Sequence, residues 1–144
     1  TVKMTADENL EMLNKQRSVR PNSPHFTIYQ PQLTWLGSIA NRITGVGLSV
    51  GLYAYGLAYI SLPLMGYGDL VSSAYLTSLA ASAPFWLKLS IKAPIAAAFN
   101  YHTFNGLRHL GWDRGYFISV KGCYQSGYAV FAATALATVG LCLI

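Results

Sequence analysis

Charge is what this sequence has least of: ten Lys and Arg and five Asp and Glu in 144 residues, or 10%. An ordinary soluble domain carries about 25% charged residues, so this composition argues against a water-facing globule. Cysteine is scarce as well. Cys123 and Cys142 stand at opposite ends of one apolar segment, and ~19 residues of straight helix separate them by ~28 Å, far beyond a disulfide. No C-x-x-C pair occurs, which removes cysteine metal sites. There is no Ser-His-Asp set, no paired carboxylate motif and no phosphate-binding glycine loop, so hydrolysis and phosphoryl transfer lack their apparatus. Internal repeats and low-complexity tracts are absent too.

What is present is apolar. Hydrophobic residues make up 53% of the chain, and they gather in three segments, at about 43–64, 85–110 and 123–144. The first and third carry no charge, and each is close to the ~20 residues that cross a bilayer. The second carries Lys88 and Lys92 early on one face, where long stems can snorkel to the nearer surface. We therefore expect an all-α integral membrane protein with three transmembrane helices. Residues 1–33 are polar, and Pro21, Pro24 and Pro31 interrupt any continuous helix there, so 23–32 reads as an extended surface strap. The expected division is 1–33 for this polar strap segment and 34–144 for the membrane domain. The first residue is threonine, which leads to the expectation of a processed chain without its targeting peptide.

Orientation follows from the loops. The net charge is +5, but the cations cluster in the N-terminal segment and in the stretch from Arg108 to Lys121, whereas the loop 65–83 has only Asp69. This is the bias that topology imposes on a membrane protein, and it removes the argument for nucleic acid. It places the N-terminus and the 108–121 loop on the cytoplasmic or matrix side. His109 and Arg42 then lie near that same surface.

An ionisable residue inside a transmembrane segment is costly, so His102 is a candidate functional residue, and neutral imidazole is a common ligand of haem iron. His102 and His109 are seven residues, or ~10 Å, apart on a helix, too far for both to ligate one iron. If His102 is a ligand, the second comes from elsewhere, and His109 suits a propionate near the surface. Gly106, one turn beyond His102, lowers the bulk where a porphyrin would approach. The plainer alternative is a polar contact between helices; these residues alone leave both open.

A second constellation is Gly37-Ser38-Ile39-Ala40-Asn41-Arg42-Ile43-Thr44-Gly45. Ser38 and Arg42 share a helix face. A hydroxyl beside a guanidinium at the membrane edge suits the carbonyl oxygens of a quinone, and the guanidinium favours negative charge developing there. A helix cap at Ser38 and a membrane anchor at Arg42 explain the same pair more simply. Of the remaining polar residues, Asp113 is expected to pair with Arg108 or Arg114, and His25 to be a surface hydrogen-bonding residue on the strap.

Three motifs in order carry a resemblance: Arg20-Pro21-Asn22-Ser23-Pro24-His25-Phe26-Thr27-Ile28-Tyr29, then Ser38 to Gly45, then His102-x-x-x-Gly106-x-Arg108-His109-Leu110-x-Trp112-Asp113. Together they resemble the large cytochrome b membrane-anchor family of succinate dehydrogenase, respiratory complex II, from about Arg20 to the C-terminus. The resemblance implies a complex with a flavoprotein, an iron–sulfur subunit and a second, smaller anchor. It implies that His102 is an axial ligand of haem b, with the other ligand on the smaller anchor, and that His109 and Arg42 contact that cofactor. Ser38, Arg42 and Trp35 match the quinone site, and the inner mitochondrial membrane is the implied location. Asn41 departs from the family pattern, which commonly has histidine there; Asn can hydrogen-bond but cannot carry a proton at neutral pH. The rival expectation is a purely structural anchor or small transport component.

Overall fold

The computed structural model describes residues 3–144, which form two compact units divided between Gln30 and Pro31. All regular structure among the described residues is helical: α1 Ala6–Ser18, α2 Leu33–Leu64, α3 Ser73–Ser82, α4 Phe85–Asp113 and α5 Val120–Leu143.

The N-terminal unit holds a helix ahead of the segment expected as a strap. A 13-residue helix occupies Ala6–Ser18. Its start is a capping box: the Thr5 amide donates to Glu8 Oε2 at 2.8 Å and the Glu8 amide to Thr5 Oγ1 at 3.3 Å. Asp7 and Glu8 in the first turn and Lys15 and Arg17 in the last match the helix dipole. The proline argument applies only beyond Ser18. There a single 3₁₀ turn, His25–Ile28, is the only regular element, and His25 takes φ 58° with its amide donating to Ser23 Oγ.

In the second unit, α2 and α5 are long and apolar enough to cross a membrane. At 32 residues, α2 is ~48 Å long and exceeds a hydrocarbon core of ~30 Å. It begins at Leu33, ten residues before the apolar run at Ile43, because hydropathy marks where a helix becomes apolar, not where it starts. Trp35, expected beside the quinone site, therefore lies in the first turn of α2. The expected loop 65–83 contains α3, capped by Ser72 Oγ accepting from the Tyr75 amide. Both α2 and α4 end the same way. Gly66 and Gly115 take φ of 86° and 80°, and the next residue's amide reaches back to Leu62 or Gly111. These are Schellman closures, which require the left-handed backbone glycine tolerates.

Helix α4 packs most extensively on α5 and next on α2. Polar groups and small residues make the joints, as expected where lipid removes any hydrophobic drive between helices. Tyr101 Oη donates to the Gly37 carbonyl at 2.9 Å, and its ring stacks on Phe131 with centroids 5.8 Å apart. Asn100 Nδ2 donates to Thr138 Oγ1 at 3.2 Å. A Cβ at Gly127 would lie 2.5 Å from Leu33 Cδ2, so the bare glycine admits α2 to α5. By contrast, a Cβ at Gly47, Gly51 or Gly56 of α2 would meet nothing within 4 Å among the described residues; Gly47 and Gly51 lie on one side of the helix, and Gly56 lies on the side of Gly45.

Candidate functional site

His102 is half-buried at the seam between α2 and α4. Its Nδ1 lies 3.0 Å from the Asn41 carbonyl oxygen, which can only accept, so Nδ1 carries the proton and donates. Thr44 Oγ1 stands 3.5 Å from the same nitrogen while its own hydroxyl donates to the Ala40 and Asn41 carbonyls at 2.8 and 3.0 Å. That tautomer leaves the lone pair on Nε2, which has no hydrogen-bond partner among the described residues. An imidazole held through one nitrogen by a main-chain carbonyl, with the other free, is the usual arrangement of a metal-ligating histidine. The residues therefore fit haem iron at Nε2.

The close approach that seats this ring is made by Gly45. A Cβ there would lie 2.6 Å from His102 Cε1 and 3.1 Å from Nδ1. Gly106 borders open space, so the glycine that seats the imidazole is on the facing helix. His102 lines a groove of about 440 Å³ with Asn41, Arg42, Gly45, Val46, Ser49, Val50 and Tyr53. A larger cavity of about 830 Å³ lies at the other end of α2, around Tyr55 and Tyr59, and no histidine or cation lines it.

Of the residues expected at the site, the structure brings Arg42 and His102 into one groove. Ser38 stands one turn, ~6 Å, before Arg42 on α2, half-buried and outside the groove lining, and Trp35 is half-buried nearly a turn earlier. His109 does not line it either. Its ring meets Trp112 edge-on at 4.6 Å, and its Nε2 is buried with no partner.

Asp113 was expected to pair with Arg108 or Arg114, and among the described residues it forms an ion pair with neither. Arg108 is only 6% exposed and turns inward to α5. Nε donates to Ser126 Oγ at 2.9 Å, Nη1 to Asn105 Oδ1 at 3.2 Å, and Nη2 to the Cys123 carbonyl at 2.6 Å and its Sγ at 3.2 Å. The guanidinium carbon also lies 4.3 Å from the Trp112 ring centroid. Neutral acceptors and an aromatic face take the place of a carboxylate. Sequence reasoning missed Thr44, the Asn41 carbonyl and the role of Gly45. The four-residue spacing Asn41–Gly45 on one helix face was the available indication.

The model of the succinate dehydrogenase/fumarate reductase transmembrane subunit matches residues 16–141. The chain belongs to this family. It is 43% identical over 136 residues to the succinate dehydrogenase cytochrome B subunit, mitochondrial, of Schizosaccharomyces pombe, covering 94% of this chain and 74% of the relative. It is 35% identical over 134 residues to mitochondrial inner membrane protein SHH3 of Saccharomyces cerevisiae, covering 90% and 66%. It is 39% identical over 142 residues to the human succinate dehydrogenase cytochrome b560 subunit, mitochondrial, covering 95% and 79%. The all-helical architecture with two membrane-length apolar helices agrees with a transmembrane family. Family membership also supports a membrane anchor of complex II, a non-catalytic subunit of that enzyme associated with its other subunits.

Proposed function

We propose that this chain is the large cytochrome b anchor of a mitochondrial succinate:quinone oxidoreductase, passing electrons between the iron–sulfur subunit and membrane quinone. The observation that carries the reading is His102, which donates through Nδ1 to the Asn41 carbonyl and keeps Nε2 free on a groove it shares with Arg42. Haem b, when bound, supplies a one-electron carrier between the soluble subunits and quinone. His102 would hold the iron from this chain; His109 is too far along the same helix to share it, and the family resemblance implies that the smaller anchor would supply the other ligand.

The chain's own residues divide the remaining work. The Asn41 carbonyl and Thr44 orient His102, and Gly45 gives its ring room. Because the main chain of residue 41 makes that bond, the asparagine side chain does not alter it. Arg42 and Ser38 donate hydrogen bonds to a quinone carbonyl oxygen, and Arg42 favours negative charge on it. Trp35 borders the same pocket. His109 faces the cofactor's propionate end from the last turns of α4.

In this reading α4 is the third span, packed between the two apolar helices, with Lys88 and Lys92 near one end. The side of α2 with Gly47 and Gly51 receives the second anchor subunit, small residues allowing close approach. The family resemblance supports the mitochondrial inner membrane, and the Lys and Arg bias then favours an N-terminus on the matrix side. The polar segment up to residue 33, with α1 and the strap at 23–32, then lies on the matrix side, beside the iron–sulfur and flavoprotein subunits, and residues 34–144 form the membrane domain.

The test is an optical spectrum of the purified complex. His102→Leu should abolish the low-spin b-type signal while the polypeptide still inserts. An unchanged low-spin spectrum in the intact variant complex overturns the ligand assignment, and a colourless wild-type complex leaves only a structural anchor.

A further inference from the structure

The groove between α3 and α4 has about 690 Å³ of space and is walled by Leu76 and Leu79 on one side and Leu87 and Ile91 on the other, with Lys88 and Lys92 in its lining. Lys88 Nζ donates to the Ala81 carbonyl at 3.2 Å, which uses one of its three protons and holds the ammonium in place. Lys92 makes no hydrogen bond or ion pair among the described residues. It sits ~10 Å along α4 from Phe85, with its side chain exposed on the groove. Asp69 is the single acidic residue between Glu11 and Asp113, and it does not line the groove.

Topology does not account for these lysines. The Lys and Arg bias runs the other way, toward the N-terminus and the 108–121 loop, so two cations at the opposite end of α4 need a local reason. Two further apolar recesses meet the same point. One, of about 370 Å³, joins Lys92 to Leu48, Ile95 and Phe99. The other, of about 250 Å³, joins both lysines to Phe85 and Leu143. Quinone is uncharged and would leave both ammoniums unpaired, while a free phosphate would leave the apolar walls bare.

We propose that this groove binds one anionic phospholipid, its phosphodiester on Lys88 and Lys92 and its acyl chains along the apolar recesses. The inference rests on α4 crossing the membrane and is independent of what His102 ligates.

The test uses the assembled complex in neutral detergent, stripped of loosely bound lipid. Retention of phosphatidylglycerol and of phosphatidylcholine with the same acyl chains is read by native mass spectrometry. Phosphatidylglycerol should be retained at least tenfold better. Lys88→Gln and Lys92→Gln should each reduce that preference roughly fivefold, and Lys121→Gln, at the other end of the membrane domain, should not. A photoreactive group replacing Ile91 should capture lipid. Equal retention of the two lipids, an unchanged preference in the double lysine variant, displacement by millimolar inorganic phosphate, or capture of a polypeptide at residue 91 would each overturn the proposal. The b-type spectrum of the same preparation keeps this outcome separate from the functional reading, because the lysine variants should leave it unaltered.

Discussion

The two seams of α4 treat their ionisable residues in opposite ways. Toward α5, Arg108 is closed in, with four hydrogen-bond contacts and an aromatic face against it. Toward α2, His102 has one nitrogen anchored and the other unshared, on an open groove. A buried polar group whose needs are met internally rigidifies a fold. One held in place but left with a free lone pair is prepared for something from outside the chain. The buried guanidinium is thus satisfied within the fold, and the half-satisfied imidazole is the group the proposed function rests on.

Breaking the closed seam should have the largest effect. Arg108→Leu orphans Asn105 Oδ1 and removes the donors to Cys123 and Ser126, at a cost of about 3 kcal/mol. Assembled complex should fall steeply, with haem and quinone activity lost in proportion. A variant that assembles normally would show that this seam is not what holds α4 to α5.

Gly45→Ala sharpens the comparison from the other side. The added methyl sits 2.6 Å from His102 Cε1, so the imidazole must move while α4 and α5 stay joined. We expect normal amounts of complex with a lost or altered low-spin spectrum. A wild-type spectrum would mean the ring is not seated by α2.

Next come the groove-edge residues. Arg42→Ala should lower quinone-coupled turnover ten- to hundredfold, equivalent to about 1.5–3 kcal/mol for a charged hydrogen bond, and Ser38→Ala less. Electron delivery to a dye accepting from the soluble subunits should persist in both. If turnover per assembled complex stays at the wild-type level, the quinone assignment is wrong. If both activities fall together with assembly, the residues anchor a helix.

The smallest effect lies in the N-terminal unit. The Thr5 backbone amide, then its hydroxyl, hold the Glu8 carboxyl below its ordinary value of 4.5, with desolvation opposing weakly. A depressed carboxyl stabilises α1 above that ordinary value, and the contribution is lost as pH falls through the lowered one. Circular dichroism of a peptide spanning residues 3–20 should show helicity dropping below about pH 4.5, and Glu8→Gln should flatten the titration. An unchanged pH profile in Glu8→Gln would show that the capping box does not set it.

Much of the architecture was legible because apolar runs and breakers act locally. The extents of α4 and α5 follow from Pro84, Gly115 and Ser119 flanking apolar runs, and the Thr5–Glu8 box was visible as a T-x-x-E pattern although the prolines drew attention away from it. The start of α2 was not legible, because its first ten residues are amphipathic and a hydropathy edge is not a helix edge. Within the candidate site, residue types suggested His102 and Arg42, and the fold put them in one groove. The Asp113–Arg108 pairing failed because opposite charges close in sequence say nothing about which way a helix is turned.

By itself, the sequence determined that this chain is helical, that most of it avoids water, and which few polar residues must answer for their presence there. Those are consequences of composition and periodicity, which act over one or two turns. Only the tertiary structure decided which nitrogen of His102 is occupied, that Gly45 is the glycine against it, and that Arg108 is satisfied without a carboxylate. Each depends on atoms brought together from helices 15 to 61 residues apart in the chain, and no local pattern encodes the rotation of one helix against another.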